Sequence, residues 1–160
     1  MINNSTCHLL VMERRQRTLY LTNASSQSFY QETNDCYDFT CRLAEPLILE
    51  PIGSWMCCLT QCVIPNLTKA PLYIICDVCD STLLGEKKLP VLRVIHTTKS
   101  QFPDFSCAQY VSIREINQIR IRFQTADGKT PKPCNTLPGS ELLPRKPQHS
   151  HCTVQFFRID

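Results

Sequence analysis

"INQIRIRFQTADGK", residues 116–129, constrains the fold more than any other stretch of the chain. Ile119, Ile121 and Phe123 fall on one side of a period of two, and Arg120, Arg122 and Gln124 on the other. That is the mark of a half-buried strand, and Asp127-Gly128 ends it with the chemistry of a reversal. Helical periodicity is nearly absent elsewhere, and strand-like runs recur between turn signals. They are "TLYLT" (18–22), "YDFTCRL" (37–43), "SWMCCLTQCVI" (54–64), "PLYIICDVC" (71–79), "VLRVIHTT" (91–98), "AQYVSI" (108–113) and "CTVQFFRI" (152–159). The second of these alternates well, and the third is apolar on both faces, as a covered central strand would be. "STLLGEKKLP" (81–90) reads as a loop, and the Pro/Lys/Ser-rich stretch 130–150 as a long loop with an irregular strand near 131–143.

Short strands in this number predict an all-β, antiparallel sandwich, barrel or jelly roll, not an α/β fold. The expected core is Phe39, Leu43, Trp55, Leu59, Ile119, Ile121, Phe123, Val154 and Phe156. At 160 residues the chain fits one domain with a real core. No run approaches the ~18 apolar residues of a spanning helix. The N-terminal "MINNSTCHLLVMERRQR" carries its charges after a short apolar patch, the reverse of a secretory signal, so the expectation is a chain that is not secreted. The Asn-x-Ser/Thr patterns at Asn3, Asn4, Asn23 and Asn66 then mean nothing. A net charge of +3 is too small to make nucleic acid the main partner. Arg14, Arg15 and Arg17 in "ERRQR" offer at most a minor DNA contact, and a solvated segment beside the first strand is the simpler reading.

Eleven cysteines demand an account. They are Cys7, Cys36, Cys41, Cys57, Cys58, Cys62, Cys76, Cys79, Cys107, Cys134 and Cys152. An odd number without an export signal argues against a disulfide framework. Cys41 and Cys57 sit two residues from large apolar side chains on either side, so period two places them on apolar strand faces. There a thiol acts as a small hydrophobe. "CDVC" gives Cys76 and Cys79 the sharpest metal-like spacing. A second pair is wanting, since Cys57, Cys58, Cys62 and His96 complete no standard pattern. The motif also continues an apolar strand, where residues three apart face opposite sides. Buried thiols, no metal and no cofactor are the expectation.

Nothing marks a catalytic site. Of the four histidines, His149 and His151 form "HSH", a pattern that could bind a metal but has a loop as its simpler home. No carboxylate pair, phosphate loop or nucleophile elbow appears, and the chain has only four glycines. No enzyme is expected.

The order of the pieces resembles a known family. A strand ending in "TNAS" leads to "YDFTCRLAEPLIL", a "GSW" step and "CVIP". Next come "LYIICDVCDSTLLGEKKLPVLRVI", "YVSIREINQIRIRFQTADGKTP" and a terminal "CTVQFFR". Across residues 18–159 this series is similar to the penton, or minor capsid, proteins of the Polinton (Maverick), adintovirus and adomavirus type. The matching positions are Phe39, Leu43, Gly53, Trp55, Asp77, Gly85, Leu92, Arg93, Val94, Tyr110, Val111, Ile116, Ile119, Ile121, Asp127, Gly128, Phe157 and Arg158. "YVSI" departs from the usual Tyr-Val-Pro-Val, and the last loop lacks a Phe-Glu-x-Gly step.

The resemblance implies a single, eight-stranded jelly-roll domain over 18–160, with residues 1–17 as an N-terminal arm along the inner shell or a neighbouring subunit. It implies a homopentamer at icosahedral vertices, next to a double-jelly-roll major capsid protein. A vertex fibre or receptor would sit on loops 81–90 and 129–150, and assembly would take place in the host nucleus. The rivals are another jelly-roll capsid or cement protein, a host β-sandwich binding module, and a zinc or thiol enzyme using Cys76 and Cys79.

Overall fold

The computed structural model describes residues 16–64, 71–96, 99–101, 107–131 and 149–159. Arg14, Arg15, Cys7, Cys134 and the expected strand beyond residue 131 lie outside the described residues. Among the described residues there are eleven strands: β1 (Gln16–Thr22), β2 (Asp38–Ile48), β3 (Ser54–Val63), β4 (Leu72–Cys76), β5 (Thr82–Leu84), β6 (Lys87–Leu89), β7 (Val91–Ile95), β8 (Lys99–Gln101), β9 (Gln109–Val111), β10 (Glu115–Gln124) and β11 (His151–Ile159). One turn of helix, α1 (Gln27–Tyr30), bridges β1 and β2.

The strands form two antiparallel sheets and a separate hairpin. Sheet one runs β1-β11-β3, with β8 and β9 both pairing the far side of β3; sheet two runs β2-β10-β4-β7. The pairings nest: β1 with β11, β2 with β10, β3 with β8 and β9, β4 with β7. The first half of the chain thus lies antiparallel to the second half, and this long ladder is rolled so that successive pairs fall in alternate sheets. That is a jelly roll, with eight strand positions once β8 and β9 are taken as two pieces of one edge.

The alternation of β10 explains its placement. Ile119, Ile121 and Phe123 are fully buried, and Phe123 faces Phe39 with ring centroids 6.3 Å apart. Sheet one supplies Leu21, Trp55, Cys57, Leu59, Val154 and Phe156 to the same core. β3 looks apolar on both faces partly because its parity changes. A bulge lets Val154 pair with Leu59 but Thr153 with Gln61, so the inward set 55, 57, 59 becomes 62, 64. Of the expected core only Leu43 is partly exposed. The β2–β10 register jumps from Arg42↔Gln118 to Leu47↔Ile116, which takes residues 43–46 out of the ladder.

Three sequence readings need correction. Strand β1 begins at Gln16, so Arg17 is paired with Phe156 and does not belong to a free arm. Residues 81–90 are not a plain loop: β5 and β6 pair as a hairpin around Gly85, whose φ of 60° suits a tight reversal. Strand β4 stops at Cys76 instead of running to Cys79. The Asp77 carboxylate accepts a hydrogen bond from Arg120 N at 2.9 Å, and Cys79 N donates to Cys76 O at 3.1 Å, closing a turn.

Candidate functional site

One rim of the barrel gathers several of the residues that carried the family resemblance, Gly53, Asp77 and Arg158 among them. It is built by residues 49–53 between β2 and β3, the turn 77–80, residues 112–114 between β9 and β10, and the end of β11. Ile159 pairs with Ser54, Trp55 with Val111, and Ile48 with Glu115, which holds these segments at the same end.

Glu50 is the centre of one corner. Its carbonyl accepts from Trp55 Nε1 at 3.0 Å and from Arg114 at 3.4 Å, and its carboxylate pairs with Arg158 at 2.7 Å. Arg114 also reaches the Gly53 carbonyl at 3.4 Å. Gly53 has φ +85°, and a Cβ there would lie 2.8 Å from Arg158 Cδ. The Gly-x-Trp step and the terminal Phe-Arg are therefore halves of one contact: Arg158 lies across the only residue type that leaves room for it.

The turn after β4 forms the opposite corner. Asp77 N donates to Arg120 O on sheet two, while Asp80 N donates to Tyr110 O at 2.8 Å on sheet one. The Asp80 carboxylate takes Ser112 N at 3.1 Å and Ser112 Oγ at 2.7 Å. "CDVCD" thus straps one sheet to the other. Cys76 and Cys79 are both buried and on the same side, where the Cys79 sulfur lies 3.1 Å from Cys57 Sγ. Among the described residues no three His, Cys, Asp or Glu side chains stand where they could hold a metal.

The other candidates scatter. Arg17 is exposed and its guanidinium donates to the Gln16 carbonyl. His149 and His96 are exposed, while Ser150 between the two "HSH" histidines is buried, its hydroxyl donating to Cys36 O at 2.6 Å. Asp127 and Gly128 lie at the far end of β10. The Thr125 hydroxyl and then Lys129 pull the Asp127 carboxyl down to about 2. Between that turn and the β5–β6 hairpin runs an open groove of about 630 Å³, lined by Tyr73, Leu84, Lys87 and Gln124 among others. The sequence reading missed Glu50, Asp80, Arg114 and Ser112. Glu50 precedes a proline and Asp80 follows the second cysteine, but nothing local shows that either will tie distant strands together.

Large apolar side chains remain exposed around the rim: Ile48 at 60%, Ile52 at 77%, Tyr110 at 54% and Ile113 at 44%. No helix among the described residues is long and apolar enough to cross a membrane.

No family model and no curated protein matches this sequence. Among solved structures, the selenomethionine-labelled mavirus penton protein superposes over 91% of this chain and 100% of its own, with a TM-score of 0.55 at 6% identity. At that identity the likeness is one of fold, and it places this chain with a jelly roll of the kind found in a viral capsid protein.

Proposed function

We propose that the chain is a penton subunit that closes into a homopentamer at the fivefold vertices of an icosahedral capsid, has no catalytic role, and abuts a double-jelly-roll major capsid protein. The observation that supports this most is the end-to-end superposition on the mavirus penton protein, which leaves no part of that fold unmatched. The exposed rim adds a second support. A ring uses two different lateral patches on each subunit, related by rotation. Ile48, Ile52 and Ile113 give one flank an apolar surface held rigid by the Glu50 and Asp80 contacts. In this reading the residues before β1 serve as the arm toward the inner shell or a neighbour, and any DNA contact through Arg14 and Arg15 is minor. A fibre or receptor would bind at the 81–90 hairpin and the 129–150 segment, and assembly takes place in the host cell nucleus.

Two measurements test this. Native mass spectrometry of the purified chain should show a pentamer, and its contacts should each bury on the order of 1,200–2,000 Å². Ile52→Asp should leave the fold intact and lower the pentamer fraction at least tenfold. Imaging of particles decides the matter: density for this chain anywhere except the fivefold axes sinks the assignment.

A further inference from the structure

Three thiols meet beneath the rim. Cys57 comes from β3 of sheet one, Cys76 from the last residue of β4 in sheet two, and Cys79 from the turn that straps the sheets together. All three are buried, at 0%, 0% and 6% exposure. They do not form a metal cage. Instead two of them are singled out: the Cys57 and Cys79 sulfurs stand 3.1 Å apart and come from positions 22 residues apart in the chain.

A disulfide needs its sulfurs at about 2.05 Å, so closing this pair takes a movement of roughly 1 Å. A second pair, Cys62 and Cys152, lies at 3.7 Å. Those two are direct partners in the β3–β11 ladder, and backbone hydrogen bonds fix both. Cys79 lies in a turn, anchored on each side but not itself in a strand. The pair that is nearer is also the pair with one member outside the strand ladder, so the roughly 1 Å approach disturbs no ladder register at Cys79.

We propose that Cys57 and Cys79 are a disulfide-forming site, oxidised when the protein meets a small-molecule disulfide. One thiolate attacks that disulfide and expels one small thiol, giving a mixed disulfide on the protein. The second cysteine attacks the mixed disulfide and expels the other small thiol. Two S–H bonds are lost and one S–S bond is gained; both electrons and both protons end on the two released thiols.

The bond would tie β3 to the strap and lock the two sheets together at the rim. A reducing cell interior would keep the site as thiols, and oxidising surroundings would close it. This chemistry is independent of whether the chain builds a capsid vertex. Hydrogen bonding to Cys57 and then Cys76, together with burial, holds the Cys79 thiol well above its ordinary pKa. Few thiolates exist in the folded rim, so the bond forms as the chain folds.

The test is to refold the full chain in a buffer of reduced and oxidised glutathione, then map its peptides by mass spectrometry. The expected product has lost two hydrogen atoms, carries a Cys57–Cys79 link, reverts with dithiothreitol, and melts about 5 °C or more higher than the reduced form. Cys79→Ala and Cys57→Ser should each abolish the link, with circular dichroism confirming a folded β protein. Cys76→Ala and Cys62→Ala should keep it. A link between Cys76 and Cys79, a link at Cys62–Cys152 alone, or glutathione adducts without any internal link would each overturn the proposal.

Discussion

Gly53 and Gly85 have the same kind of backbone and opposite surroundings. Both have positive φ, +85° and +60°. At Gly53 an added Cβ would collide with Arg158, while at Gly85 it would meet nothing within 4 Å. The first glycine belongs to the rim, where each turn is hydrogen-bonded to another. The second caps the β5–β6 hairpin, whose residues are almost all exposed. A shared signature residue can therefore record two different pressures: close packing at the rim, and local turn geometry alone at the hairpin. Only the rim joins strands far apart in sequence, so its loss should propagate through the fold and loss at the hairpin should not.

The largest expected effect lies in the core, at Trp55 beside the rim and at Phe123 toward the opposite end of β10. Trp55 is 3% exposed and donates its indole N–H to Glu50 O, and Phe123 is fully buried. Replacing either with Ala should cost about 3–5 kcal/mol, because a large cavity remains. Urea denaturation followed by circular dichroism measures it, and a loss below about 1 kcal/mol at both sites would mean that neither face packs as described.

The two glycines provide the next test. Gly53→Ala must strain the backbone and displace Arg158, and should cost about 2–3 kcal/mol. Gly85→Ala bears only the backbone strain of an exposed turn, about 1 kcal/mol, much of it confined to the hairpin. Equal losses in denaturant would show that the Arg158 contact adds nothing and that the rim and the hairpin do not differ.

These positions also show what a sequence discloses. Strand β10 from Gln118 onward and the first half of β2 were legible because their alternation repeats one physical instruction several times over. The hairpin was not, since three-residue strands are too short to show a period. The end of β4 was misjudged for a different reason. "LYIICDVC" is apolar throughout, and only the distant Arg120 amide, which the Asp77 carboxylate receives, makes that aspartate a stop. The same holds for the rim. Gly53, Trp55 and Arg158 could be matched one by one, yet their meeting at Glu50 depends on β3 pairing with β11 across the length of the chain. Long-range register is a property of the sheet, and no local window contains it.

Thiol ionisation gives a smaller effect. Burial pushes Cys36 and Cys41 up to about 11 from an ordinary value of 9.0. The folded state favours the protonated thiol, so this contribution is complete below pH 9 and is lost as pH rises from 9 through 11. Under reducing conditions, stability at pH 10.5 should fall below that at pH 8 by on the order of 1 kcal/mol per thiol. Cys41→Ala should flatten part of that slope whatever its own effect on stability. A slope unchanged by the substitution would assign the alkaline loss to other groups.

The smallest effect is expected at the hairpin surface. Leu83 is 78% exposed, and its opposite partner in the β5–β6 ladder, Lys88, is exposed too. Substitution there removes almost no buried area, so Leu83→Asp should change stability by no more than about 0.5 kcal/mol. It should also leave the oligomeric state alone, in contrast to Ile52→Asp on the rim, which has nearly the same exposure at 77%. Matching the exposures removes hydrophobicity as the variable and leaves location. Sedimentation of the two variants side by side reads the result: assembly lost at Ile52 and kept at Leu83 places the subunit contact on the rigid rim. Loss at Leu83 instead would move that contact to the hairpin.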